Sequence, residues 1–108
     1  MGLFFRKNNR KIDAFAQAVA DDLFSYVQPD VAKQHVLGGG DIPKKKKAKI
    51  KQKFTDIVRQ MERFSDSNSL GVYGQARLHK QFGERLEELG YQPEIVHKIT
   101  ENFLLRGL

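Results

Sequence analysis

Apolar residues recur three or four positions apart in four separate stretches of this chain, and Gly, Pro or Ser–Asn clusters divide the stretches. That period is the mark of amphipathic helices, and no period-two alternation competes with it. The first stretch runs from about Lys11 to Val27, with Ile12, Phe15, Ala16, Val19, Leu23, Tyr26 and Val27 as its apolar stripe. Asp13, Gln17, Asp21 and Asp22 form a polar flank expected to face away from it. Pro29 and Asp30 end the pattern.

The second stretch begins at Lys44 or Lys47 and runs to Phe64. Ile50, Phe54, Ile57, Met61 and Phe64 alternate spacings of four and three, a seam suited to bundle packing or a short coiled coil. Residues 65 to 69, Ser-Asp-Ser-Asn-Ser, stop it and are expected to cap whatever follows. The third stretch spans about Gly74 to Leu89, with Gly90 in the position that favours a left-handed C-terminal residue. Gly83 inside it costs about 1 kcal/mol relative to Ala, which a close helix crossing would explain. Pro93 and Glu94 open the fourth, which carries Ile95, Val96, Ile99, Phe103 and Leu104 toward Gly107.

The expectation is an all-α fold, a small bundle of about four helices with a long irregular connection between helices 1 and 2. A chain of 108 residues fits one domain. Residues 1–10 read as a flexible basic arm, and residues 28–46 as a long loop containing Gly, Pro and Lys. Such a length buries roughly 65% of the unfolded surface, so a core needs no metal or disulfide.

With no cysteine, the chain carries no disulfide framework, thiolate metal site or thiol nucleophile. The start, Met1-Gly2-Leu3-Phe4-Phe5-Arg6-Lys7, has the reverse order of a secretory signal, and Arg6 stands where a myristoylation pattern needs Ser or Thr. No stretch approaches the ~20 apolar residues of a membrane span. A cytoplasmic protein is therefore expected.

Catalytic patterns fail one by one. Asp21-Asp22 and Glu87-Glu88 are adjacent on helices, pointing about 100° apart, and converge on nothing. Glu94-x-x-His97 has a di-iron spacing, but only one copy exists. Gly38 to Lys44 imitates a phosphate loop, yet Pro43 replaces the second glycine and Lys45 the magnesium-holding Ser or Thr. No enzyme activity, cofactor or metal is expected. A helix-turn-helix around Gly90 is disfavoured because Glu94 and Glu101 sit on the helix that would read bases.

What remains is charge. The net +6 is concentrated: residues 1–63 hold 14 Lys+Arg against 7 Asp+Glu, and residues 64–108 hold 5 against 6. Seven lysines fall within residues 44–53. Four of them in a first helical turn oppose the helix dipole, so either the helix starts nearer Lys47 or an anion offsets the strain. The expected function is a non-enzymatic binding module that takes nucleic acid or another polyanion through Arg6, Lys7, Arg10, Lys11, Lys44, Lys45, Lys46, Lys47, Lys49, Lys51 and Lys53. The alternative is a protein-interaction or assembly module, a homodimer or a complex with a partner, using the seam from Ile50 to Phe64. An ordered lysine run beside an apolar patch points to a protein partner, and a freely solvated one to solubility alone.

Overall fold

A computed structural model describes the backbone of residues 2–38 and 40–106, and the side chains of residues 9–38 and 40–101. Five helices account for nearly all of it: α1 (Gly2–Tyr26), α2 (Pro29–Leu37), α3 (Lys44–Ser67), α4 (Val72–Glu88) and α5 (Pro93–Arg106). No strand occurs among the described residues. The all-α expectation holds, and the count of about four is corrected to five.

The extra helix is α2, inside the stretch expected to be irregular. Pro29 occupies its first turn with Asp30 beside it, and Gly38 closes it in the left-handed region at φ 71°, its N–H bonding the Gln34 carbonyl. Those end signals are stronger than its apolar pattern, since Ala32 is its only fully buried residue. Between α2 and α3, the described residues outside a helix are 38 and 40–43.

α1 also starts at Gly2 rather than near Lys11, so residues 2–10 continue its helical backbone. α3 starts at the earlier of its two expected positions, with the Lys47 N–H bonded to the Pro43 carbonyl at 2.9 Å.

α4 ends as its sequence predicts. Gly90 lies at φ 106°, its N–H bonds the Glu87 carbonyl, and the Tyr91 N–H reaches back to Leu86. The end of α3 repeats this closure with Ser69 at φ 50° in place of glycine. Its N–H bonds Asp66, and the Leu70 N–H bonds Ser65. The expectation that this serine cluster caps α4 is not met: the cap is Gly71, with no side-chain hydrogen bond. The serines instead close the preceding helix.

α1 and α4 make the most extensive helix contact, and they run parallel. Asp13 pairs with Arg77, Asp21 with Arg85, and Val27 with Tyr91, always 64 positions apart. α3 runs antiparallel to α1, because Phe15 stacks on Phe64 at 4.1 Å while Asp22, further along α1, meets Lys53, further back on α3. Ile12, Ala16, Val19, Ala20, Leu23 and Val27 of α1 are buried with Ile50, Ile57, Val58 and Met61 of α3 and with Leu78, Phe82 and Leu86 of α4. Ile95, Val96 and Ile99 of α5 complete the core; the side chains of Phe103 and Leu104 lie outside the described residues. A carbon added at Gly83 would sit 3.3 Å from Val96 Cγ1, so the glycine marks the close α4–α5 crossing.

Candidate polyanion interface

The lysine run is helical from its first residue, with no acidic residue in the first turn of α3 and no side-chain cap. Lys44, Lys45, Lys46, Lys47, Lys49 and Lys51 are all exposed. Among the described residues, only Lys53 of the run has an ion-pair partner, Asp22 of α1 at 2.8 Å.

At 100° per residue the run divides into two flanks around the buried Ile50 and Ile57. Lys45, Lys46, Lys49 and Lys53 lie on the flank toward the end of α1. Lys44, Lys47 and Lys51 lie on the flank toward α2, where His35 stacks on Phe54 at 5.7 Å between centroids. Burial, then the charges of Lys47 and Lys51, hold the His35 imidazole below its ordinary pKa.

The α1 flank carries a cleft of about 420 Å³ lined by Tyr26, Pro43, Lys45, Lys46, Lys49 and Ile50. Tyr26 is 51% exposed, which corrects its placement on the core stripe. It lies one position off the line through Ile12, Ala16, Leu23 and Val27 and shares the flank of Phe15 and Asp22, facing α3. The Lys53 ammonium sits 5.7 Å from its ring centroid, a cation–π contact fixed from the other side by Asp22. Gln60 also reaches Asp22, at 3.5 Å. Tyr26 and Asp22 are the residues that stripe counting missed. Their spacing of four, on the flank of Phe15 rather than that of Ile12, was the available signal.

Arg10 and Lys11 do not join this patch. Arg10 and Lys11 are exposed on α1, but antiparallel packing puts them at the Phe64 end, roughly 24 Å along the helix from Tyr26. The side chains of Arg6 and Lys7 lie outside the described residues.

A second cleft, about 280 Å³, lies between α3 and α4 and includes Met61, Glu62, Asp66, Gln75 and His79. Among the described residues the His79 Nδ1 is buried without a hydrogen-bond partner, and burial lowers the pKa of the ring. His97 lies apart on α5, 3.8 Å from Glu101 of its own helix. Among the described residues no group of three His, Cys, Asp or Glu side chains is disposed to hold a metal ion, and no helix is long and apolar enough to cross a membrane.

Compared with protein-family models, curated proteins and solved structures, the chain matches none.

Proposed function

We propose that this protein is a small, non-enzymatic helical module that binds nucleic acid through the lysine-bearing start of α3, Lys44–Lys53, without sequence preference. One observation carries the reading. α3 begins at Lys44, so four exposed lysines crowd a helix N-terminus that has neither an acidic residue nor a capping side chain. Each like charge there costs about 0.3–1 kcal/mol when unscreened, and a bound phosphate reverses the sign of that interaction. Arg10 and Lys11 serve as a separate, distal contact.

The assembly reading has less support. Ile50, Ile57, Val58 and Met61 of the seam are buried in the chain's own core, and Phe64 is stacked on Phe15. Among the described residues, Tyr26 is the exposed aromatic side chain lining the cleft beside the lysines, a small area for a protein partner.

Binding of labelled duplex and single-stranded oligonucleotides across a salt series tests the proposal. Four phosphate contacts on duplex give a log–log slope near −3.6. Replacing Lys44, Lys45, Lys46 and Lys47 with Gln should flatten it. Unchanged binding would remove the segment from the account.

A further inference from the structure

The cleft beside the lysines is not uniformly basic. Its walls combine a half-exposed aromatic ring, a proline and the edge of Ile50 with three ammonium groups, those of Lys45, Lys46 and Lys49. Its volume of about 420 Å³ lies within the roughly 300–1,000 Å³ of small-ligand sites. Tyr26 is 51% exposed at the end of α1, so its side chain is accessible from the cleft it lines beside the lysines. The ring is also held in place. Lys53 lies over it at 5.7 Å, and Lys53 is in turn anchored by Asp22 at 2.8 Å.

We infer that this cleft seats an unpaired nucleobase against Tyr26, with the flanking phosphates on Lys45, Lys46 and Lys49, so that the protein prefers single-stranded nucleic acid to duplex. The inference rests on the polyanion reading and goes beyond it. A duplex presents the same phosphates but keeps its bases stacked inside. An acidic peptide without aromatic residues presents carboxylates but no flat π surface to lay on the ring. A nucleotide with an exposed base supplies both halves of what the cleft offers, since aromatic stacking of single-strand bases is tolerant of sequence and works beside a basic groove. Lys53 is a positioning residue in this arrangement. Its charge is committed to Asp22 and the ring, so it contributes little to the salt dependence.

The test uses the full chain, a fluorescein-labelled oligothymidine of about twelve nucleotides, and a duplex of equal length, read by fluorescence anisotropy over a salt series. Tyr26→Leu should weaken single-strand binding roughly tenfold or more. It should leave duplex affinity and the salt slope unchanged, and Tyr26→Phe should restore binding. Replacing Lys45, Lys46 and Lys49 with Gln should weaken both probes. As a readout independent of any variant, the Tyr26 ring resonances of the native protein should move upfield when the single strand is added. If Tyr26→Leu leaves single-strand affinity unchanged while the lysine variant loses both probes, the base seat is wrong and the polyanion reading stands. If the native chain binds neither probe, both readings fall.

Discussion

Arg77 on α4 grips Asp13 on α1 through two parallel hydrogen bonds, Nε to Oδ1 at 2.9 Å and Nη2 to Oδ2 at 2.8 Å. The same offset of 64 residues recurs eight positions later, where Arg85 meets Asp21 at 2.9 Å. Two helices that run parallel keep a constant difference between paired positions, so the forked Arg77–Asp13 contact and the single Arg85–Asp21 bond share one register of α1 on α4. Both guanidinium groups are raised above their ordinary pKa, first by the hydrogen bond to the aspartate. Arg77→Lys should lose the two-pronged geometry, and a double-mutant cycle of Arg77→Ala with Asp13→Ala should give a coupling of about 0.5–1 kcal/mol that shrinks in high salt. Zero coupling at low ionic strength would show that packing alone sets the register.

Tyr91 closes the far end of the same interface. Its hydroxyl donates to the Val27 carbonyl, its ring meets Phe24 edge-on at 6.3 Å, and burial pushes the phenol above its ordinary pKa. Tyr91→Phe should cost about 1–2 kcal/mol, because the buried carbonyl loses its donor while the ring contact survives. Tyr91→Leu should cost more. Chemical denaturation of the two variants separates the hydrogen bond from the packing.

Ser69 holds a left-handed conformation that glycine adopts without a steric penalty. Ser69→Gly should stabilise the chain by about 0.5–1 kcal/mol, and Ser69→Val should destabilise it. A melting temperature that falls in the glycine variant would contradict the closure described for α3.

Two histidines link stability to pH in the same direction. His35 and His79 both sit below their ordinary 6.5, each chiefly through burial. The unfolded chain then takes up protons that the folded one refuses. Stability is full above pH 6.5, declines as pH falls through 6.5, and levels off below the folded-state values. His79→Gln should remove part of that decline, and adding His35→Gln should remove more. A decline identical in native and double-variant proteins would assign it to other groups.

His35 also reports on the proposed site. Lys47 and Lys51 help to hold its pKa down, so a polyanion neutralising that flank should raise it. An NMR titration of the His35 ring with and without oligonucleotide measures the shift. A pKa that does not move would place the bound anion elsewhere.

Much of this was legible in residue types. The Gly90 closure, the Pro93 start and the burial of Phe82 and Ile57 all follow from local spacing, because a helix stripe is set by 100° per residue whatever lies opposite. α2 was hidden for the complementary reason: with one fully buried residue it has almost no stripe, and only its Pro29 and Gly38 ends announce it. Asp13, Asp21 and Asp22 read as a solvated flank, since their partners Arg77, Arg85 and Lys53 stand 64, 64 and 31 positions away. No local pattern encodes such separations.

The sequence by itself therefore determined that the chain is helical, where most helices begin and end, which residues form most of the core, and that its excess of positive charge lies in the first 63 residues. Only the tertiary structure decided that α1 and α4 run parallel, and that Arg10 and Lys11 stand at the opposite end of the bundle from the lysine run. It alone divided that run into two flanks and left Tyr26 in a cleft beside one of them. The reason is physical. Helical periodicity is a property of neighbours along the chain, whereas register, direction and exposure depend on which distant surface each helix is packed against.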